Sequence, residues 1–377
     1  MDFKLTEERQ MLSDTLRRYL SDKYDTKTRN AILESDKGFS DEIWTGLAEL
    51  GVIGALFSED DGGFGGGGFD IAVVFEELGR AGVVEPMLDS AVLAGGALAR
   101  IGNSAQKAHI ESLIGGETQL AFAHAEPQSR YDLSDVQTVA DTQDGAVLLT
   151  GRKAVVMNAE AADWFVVSAR EGGEARDQNG ITLFLVPADS DGLTIQGYPL
   201  ISGGRAGEVT LDGVQVPESA RLGMPGMAFP VIEEAMAAAV VAQLAETLGA
   251  MGTACELTQD YLVTRQQFGR PIGTFQALQH RMAEMLIEME QARSAVINAA
   301  GHIGSDRVVR ERHISAAKSL MGRIGRLIAE EAIQMHGGIA MTQEYELAHI
   351  AKRIVMADHR FGDQDFHLER FLDLSVA

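Results

Sequence analysis

Between residues 275 and 299 the apolar side chains fall in steps that alternate three and four: Phe275, Leu278, Met282, Met285, Met289, Ala292, Val296 and Ala299. A stripe of average period 3.5 keeps to one side of a helix over its whole length. That is the seam of a helix bundle rather than the face of an ordinary surface helix. A second run repeats the pattern with Ile314, Ala317, Met321, Ile324 and Ile328, and it meets Gly337-Gly338, where a helix ends on a left-handed residue. The methionines read as core packing. Long helices of this kind bury little alone, so residues 229–377 are expected to form a four-helix-like bundle. The seam is longer than one subunit's bundle needs, which predicts a dimer or a dimer of dimers.

The period differs elsewhere. Residues 1–118 read as helices. Thr6 precedes Glu7 and Glu8 as an N-cap, and Ile43, Leu47 and Leu50, then Val73, Val74, Leu78 and Ala81, form stripes. Residues 119–228 alternate with period two: 146–149, 164–167, 181–186 and 208–211 are strand-like, and Asp212-Gly213 is a turn signal. Helices, a small β domain, then a bundle make an α+β chain. Gly62-Gly63-Phe64 through Gly68 lacks the Lys-Ser/Thr and the preceding strand of a phosphate loop, so it reads as a flexible surface turn.

The chain has 32 basic and 55 acidic residues, a formal net charge of −23. That field repels phosphate backbones and anionic lipid, so neither nucleic acid nor a membrane is an expected partner. No apolar run reads as membrane-spanning, and the opening from Met1 lacks the pattern of a signal peptide, so a cytoplasmic location is expected. The single cysteine, Cys255, sits in an apolar helical run and reads as a buried hydrophobe. No metal-ligand cluster stands out.

Two strings carry chemistry. One is Arg265-Gln-Gln-Phe268-Gly-Arg-Pro271-Ile-Gly273, followed by Phe275-Gln276-Ala-Leu-Gln279-His280. The other is Gln334-Met-His336-Gly337-Gly338. Arg265 at a helix end is a planar donor fork suited to a pyrophosphate. Phe268 offers an apolar face, Gln334 polar edges, and Gly337 and Gly338 close backbone approach. Together the strings resemble the C-terminal half of acyl-CoA dehydrogenases. Weaker matches extend the likeness along the chain: Glu49-Leu-Gly51-Val-Ile-Gly54 and Phe75-Glu76-Glu-Leu-Gly-Arg80 in the helical part, Glu126-Pro127 and Gly151-Arg-Lys153 in the β part. The resemblance implies FAD as cofactor, bound through Arg265, Phe268, Gln276, Gln334, Gly337 and Gly338 reaching across a dimer interface. It implies α,β-desaturation of an acyl-CoA, with electron-transfer flavoprotein as electron acceptor.

That reaction needs a carboxylate base beside the acyl chain. In the family it directly precedes a Gly-Thr pair near the C-terminus, where this chain has Arg360-Phe361-Gly362-Asp363. In some members it lies on the bundle helix ahead of the Arg-x-x-Phe-Gly string, where counting back from Arg265 falls near Ala239. Neither Phe361 nor Ala239 accepts a proton, and Asp363 is the nearest carboxylate to the first slot. The family's flavin-facing residues are also changed. Its Thr before Glu-Pro is Ala125, its Gly-Ser-Asp becomes Ser129-Arg-Tyr-Asp132, and its Trp-Ile-Thr becomes Val155-Val156-Met157. Groups serving the chain's own flavin ring are missing, while groups reaching toward a neighbour remain. This pattern, with the Phe-Gly-Asp-x-Asp ending, is similar to the small subunits of pimeloyl-CoA and split steroid side-chain dehydrogenases. It implies a paralogous partner subunit and a role in lipid, steroid or dicarboxylate degradation. A flavin monooxygenase or oxidase on the same fold, and a cofactor-free structural subunit, remain the alternatives.

Overall fold

The computed structural model describes residues 5–143 and 145–376. The opening tetrapeptide, 1–4, lies outside them. The first layer is helical: α1 (Glu7–Lys23), α2 (Thr26–Leu33), α3 (Asp41–Glu49), α4 (Gly68–Ala81), α5 (Gly96–Ile101) and α6 (Ser104–Ile114), with a π-helical stretch over Leu88–Gly95. The predicted cap on α1 is present, since Thr6 Oγ1 accepts the Arg9 N–H at 3.3 Å. Ile43 and Leu47 on α3, and Val74 and Leu78 on α4, are buried as their spacing requires.

The middle of the chain forms, among the described residues, an eight-stranded sheet: β1 (Leu120–Ala123), β2 (Val139–Gln143), β3 (Ala146–Met157), β4 (Trp164–Arg170), β5 (Ile181–Pro187), β6 (Leu193–Pro199), β7 (Arg205–Pro217) and β8 (Arg221–Leu222). The order is β6-β7-β3-β2-β4-β5-β8, with β1 parallel to β4. One core lies within this sheet, and its other apolar side chains join the helical core. The Asp212-Gly213 signal proves not to be a turn. β7 runs through it, and Leu149 pairs with Val214 while Gly151 pairs with Leu211, so β7 carries one extra residue. Gly213, at φ +64°, absorbs that bulge. A second bulge runs the other way. Between the pairs Lys153–Val209 and Val156–Gly207, β3 carries the extra residue, and Val155 sits there at φ +52°.

The C-terminal layer contains α7 (Phe229–Thr264), α8 (Gln276–Gly301), α9 (Arg307–His336), α10 (Glu346–Asp358) and α11 (Gln364–Val376). The predicted seams of α8 and α9 face inward: Met285, Met289, Ala292, Val296 and Ala299 pack with Ile314, Ala317, Met321, Ile324 and Ile328. α9 ends at Gly337 as expected, though its φ of +70° comes with ψ −149°, outside the left-handed helical well. Cys255 is buried, and burial pushes its thiol up to about 12. The sequence reading that no run is long and apolar enough to cross a membrane needs correction, because α7 is. Yet 83% of its apolar window is buried within the protein. Its alanines are a core surface, packed on other helices.

α7 is the axis of the fold because glycine lets α4 lie directly on it. A Cβ at Gly249 would come within 2.0 Å of Glu76 O, and one at Gly79 within 1.9 Å of Glu246 O. The glycine-rich loop before α4 is a second correction, since it is packed rather than loose. A Cβ on Gly63 would meet Phe57 O at 2.3 Å, one on Gly65 would meet Ala55 O at 2.3 Å, and one on Gly68 would meet Ala300 O at 2.1 Å. The loop's N–H groups bond back onto the turn of residues 54–58: Gly63 to Ser58 O, Phe64 to Gly54 O, Gly65 to Phe57 O and Gly66 to Ala55 O. Donors used in this way are not free to cradle a phosphate.

Gly249→Val is expected to destabilise the protein by about 1–3 kcal/mol or more through overpacking. Thr253→Val, which removes the hydroxyl bond to Arg80 O at 2.8 Å and adds no bulk, serves as the control at the same crossing. Its effect should be near 1 kcal/mol. Urea midpoints of the two variants check the ordering.

Candidate functional site

The two C-terminal strings meet at one end of the bundle. Tyr261 on the last turn of α7 stacks on His336 at the end of α9, with ring centroids 4.5 Å apart. This contact brings Arg265 and the 337–338 turn to the same end of the molecule. Arg265 caps α7, its N–H bonding to Tyr261 O at 2.8 Å. Its side chain is exposed and has no carboxylate partner among the described residues. Gln266–Gln267 and Arg270–Pro271 then form a short hairpin. Phe268 and Gly269 are its two turn residues, at φ +54° and +74°. Such a turn prefers Asn-Gly. A bulky residue there is strained and is driven outward, and the Phe268 ring is 90% exposed. Gln276 opens α8 and is exposed, as are Gln334, Gly337 and Gly338. A Cβ on either glycine would meet nothing within 4 Å, so their backbone is open to a ligand. The Gly337 N–H is donated to Ile333 O, so what the pair offers is close approach rather than two free donors. An unpaired guanidinium fork, an outward aromatic ring and an open glycine backbone fit the adenosine and pyrophosphate half of FAD.

The two base slots lie elsewhere. Ala239 is fully buried in α7. Phe361 packs its ring, half-buried, against the helical core at φ +62°. Its carbonyl accepts the Nε2–H of buried His367 at 2.9 Å, and His367 Nδ1 faces Ser315 Oγ at 3.3 Å. Burial pushes this imidazole down to about 3, so it stays a neutral donor. Asp363 is neither a solvated loop acid nor a poised base. It caps α11 by accepting the Phe366 N–H at 2.9 Å, which draws its carboxyl below the usual range, and it faces Arg130 at 3.4 Å. Glu233 and Glu246, the nearest acids on α7 to Ala239 after Glu234, are held in ion pairs by Arg307 and Arg353.

The turn around Phe361 is tied to the β domain. Besides the Arg130–Asp363 pair, Tyr131 donates its hydroxyl to His359 O at 3.3 Å, and its ring packs on Phe366 with centroids 5.3 Å apart. Arg130 adopts φ +48° to make this bridge. Arg360 turns inward and pairs with Asp89 on the π-helical stretch. A cavity of about 110 Å³ lies beside that pair, walled by α4, α7, α10 and the loop before the π-helical stretch, with Phe75, Glu85, Asp89, Gln243, Arg353 and Arg360 among its lining residues. Sequence reasoning missed Asp89, Glu85 and Gln243. The one available signal was the basic Arg360 directly before an apolar slot, which calls for a buried acid opposite.

Glu126, read in sequence as a family marker, has a structural task. Its carboxylate meets Lys153 Nζ at 2.6 Å, with both side chains buried. It also accepts the Thr138 hydroxyl at 2.6 Å, the Thr138 N–H at 3.0 Å and the Gln137 N–H at 2.8 Å. Lys153 completes its shell with Ser168 Oγ at 3.0 Å. Burial alone would raise Glu126, but Lys153 and these donors hold it low, while burial pushes Lys153 down. Lys153 faces inward by the same alternation as Val147 and Leu149, and the bulge after it switches that alternation, burying Val156 and leaving Val155 exposed where an aromatic was the family expectation.

Comparison with known proteins bears on the family and the fold. Family models for the N-terminal, middle and C-terminal domains of acyl-CoA dehydrogenases match residues 6–117, 121–214 and 227–371. The chain is 29% identical over 351 residues to the probable acyl-CoA dehydrogenase YngJ of Bacillus subtilis, covering 92% of each. Among solved structures, a variant of the Tcur3481-Tcur3483 steroid ACAD superposes with a TM-score of 0.88 at 28% identity, covering 98% of both chains. The FAD complex of PigA superposes with a TM-score of 0.91 at 27% identity, covering 100% of both.

Lys153→Met should destabilise the fold by about 3–5 kcal/mol, because it strands a buried carboxylate, and Lys153→Met with Glu126→Leu should recover much of that loss. Since Glu126 is held below its unfolded value, its contribution is present above the ordinary glutamate range and lost as pH falls toward its folded value. Urea titrations at neutral and acidic pH check both, and the single variant should lose the acid-limb dependence.

Proposed function

The chain belongs to the acyl-CoA dehydrogenase family, FAD-dependent oxidoreductases acting on CH–CH groups, and we propose that it serves as the subunit of a hetero-oligomer that lacks the catalytic base and lends its FAD contacts to a paralogous partner. One observation carries the reading. Ala239 and Arg265 lie 26 residues apart along α7, about 39 Å at 1.5 Å per residue. A dinucleotide whose ring lay near this chain's own base slots would not reach its own Arg265. The outward fork therefore serves a cofactor held mainly by another chain, and the inward slots, filled by Phe361 and Ala239, serve none.

Bound FAD supplies the hydride acceptor for desaturation of an acyl-CoA. Toward it, Arg265 gives a forked, charge-assisted contact to the pyrophosphate. Phe268 would offer its face to the adenine, and Gln276, Gln334 and the open backbone at Gly338 would satisfy polar edges, while Gly337, whose N–H is donated to Ile333 O, would give close approach only. The partner supplies the base. Support for two unlike chains comes from the Tcur3481-Tcur3483 steroid ACAD, whose name joins two components, and from the resemblance to the pimeloyl-CoA small subunit. The assembly would form along α8 and α9, where exposed Leu286 and Ile287 flank the seam in a groove with Ala295, Ala316 and Leu320. Electron-transfer flavoprotein is the proposed acceptor and the cytoplasm the proposed location. The three functional segments divide at residues 118 and 228.

Arg265→Ala is expected to weaken FAD binding in the reconstituted complex by roughly ten- to a hundredfold, since hydrogen bonds to charged groups contribute about 1.5–3 kcal/mol. Arg265→Lys should rescue only part, because an ammonium lacks the planar fork. Flavin stoichiometry and Kd of both variants decide this, and unchanged affinity in Arg265→Ala would remove the reading. The isolated chain should also fail to reduce dye with acyl-CoA substrates, because general-base catalysis contributes about 10²–10⁴-fold. Robust turnover by the chain alone, lost in Asp363→Asn, would restore the acid discounted above.

A further inference from the structure

Lys318 is a buried lysine with no carboxylate within ion-pair distance among the described residues. It sits on α9, 2% exposed, beneath the turn that joins α10 to α11. Its Nζ donates to Ala357 O at 2.7 Å and to Asp358 O at 3.2 Å, the last carbonyls of α10. No third acceptor lies within hydrogen-bond distance among the described residues. An ammonium carries three N–H donors, and a neutral amine carries two. The two carbonyls therefore satisfy the neutral amine in full and leave one N–H of the ammonium unpaired. The facing elements do not make up the difference. α7 offers the neutral Gln243, Leu244 and Thr247, and α9 itself offers Met321 and Gly322. The charged neighbours are Asp358 and Asp363, which favour the ammonium, and Arg360, which opposes it. His367 on α11, also nearby, stays neutral. The carbonyl dipoles at the end of α10 favour a cation too. Burial outweighs these attractions and pushes the Lys318 ammonium down to about 8.

We propose that the end of α10 and the turn over residues 359–363 open and close on α9 with the uptake and release of one proton at Lys318. When closed, the site suits the neutral amine. When open, Lys318 meets water and titrates as an ordinary lysine. The end of α10 rests directly on α9 at Gly322, where a Cβ would meet Asp358 Oδ1 at 2.2 Å. That oxygen is buried without a hydrogen-bond partner, so opening to water relieves it as well. The moving segment carries several ties. Arg360 pairs with Asp89 on the cavity wall, the His359 carbonyl accepts the Tyr131 hydroxyl, and the Phe361 carbonyl accepts His367. The sign follows from linkage. The buried value lies below the ordinary one, so closure is strongest above the ordinary lysine range. It weakens as pH falls toward about 8 and changes little below. Acidification therefore loosens this wall of the cavity and alkali tightens it. The device rests on α9 and α10 and is independent of the FAD contacts at the end of α7.

Trace acetylation of the full chain with acetic anhydride, followed residue by residue by mass spectrometry across alkaline pH, tests this in the wild-type protein. Only the open, neutral amine reacts, and opening from the neutral closed form takes up no proton. Labelling of Lys318 should therefore rise with a midpoint near about 8 and level off, changing by less than about twofold from pH 9 to pH 10. An exposed lysine of ordinary value gains roughly sevenfold over the same interval. Hydrogen exchange gives a second readout. Corrected for intrinsic rates, the amides of residues 357–363 should gain roughly tenfold or more in protection from pH 7.5 to pH 9.5. Lys318→Met, unbranched and uncharged, should abolish that dependence, and if it does not fold the wild-type labelling decides. A Lys318 that never labels overturns the proposal. So does labelling that still climbs between pH 9 and pH 10 as an exposed lysine does, or a pH dependence of exchange that survives in folded Lys318→Met.

Discussion

The crossing of α4 on α7 is the contact on which the rest of the molecule depends. At Gly79 and Gly249 the helices approach so closely that a methyl group on either would overlap a backbone carbonyl of the other. Glycine at these two positions lowers helix propensity, and the cost is offset by the apolar area both helices bury. Around the crossing, Arg80 reaches Glu256, Arg293 reaches Glu76, and Thr253 bonds Arg80 O, so polar groups fix the register that close packing permits. The consequence reaches both candidate sites. α7 presents Gln243 and Glu246 to the cavity in its middle and Arg265 to solvent at its end. A shift of the crossing by one turn would move the cavity wall and the exposed fork together.

The periodicities carried the architecture. Steps of three and four in 275–299 and 314–328 gave inward seams, and the change to period two marked the sheet. What escaped was decided by geometry that periodicity does not encode. Asp212-Gly213 has turn chemistry, but here it answers a one-residue excess in β7, so the strand continues through it. The glycines of 62–68 look like slack, whereas the close carbonyl contacts at Gly63, Gly65 and Gly68 show that packing requires them. α7 passes a length-and-composition test for a membrane helix because an alanine-rich helix at the centre of a protein has the same composition.

The candidate site was legible in part for a related reason. Arg265 and Phe268 stand in one short string, and their exposure follows from a helix end and a two-residue turn close by in sequence. The cavity is assembled from residues far apart in the chain. Glu85 and Asp89 come from the first layer, Gln243 from α7, and Arg353 and Arg360 from α10 and the turn after it. No local spacing reveals that Arg360 will meet Asp89. Asp363 shows the same limit at short range, because its commitment to the α11 cap depends on where α11 starts.

The distribution of backbone strain separates a built closure from an accidental one. Among the described residues, non-glycine positive φ values occur at Arg130, Val155, Asn158, Phe268 and Phe361. Such residues cost on the order of 1–3 kcal/mol each and persist only where their surroundings over-determine them. Arg130 and Phe361 lie on the two segments that join across the cleft, one in the β-domain loop and one in the turn before α11. Both are held by specific partners, Asp363 for the first and His367 for the second. Val155 is the bulge that follows the inward Lys153 and switches the alternation of β3 so that Val156 is buried, and its N–H is donated to Glu208 Oε1 at 3.3 Å. Asn158, a residue type that tolerates this region, is buried and donates its amide to Gln119 Oε1 at 2.9 Å. Phe268 alone is strained with its ring left in solvent. Four of these residues are therefore stabilised within the chain, and the fifth presents a surface that nothing in the chain covers. At Arg130 and Phe361 the strain is satisfied where the β-domain loop is tied to the turn before α11. Strain left facing outward, at Phe268, is matched by no packing in this chain, and it is the observation on which the proposed cofactor contact rests.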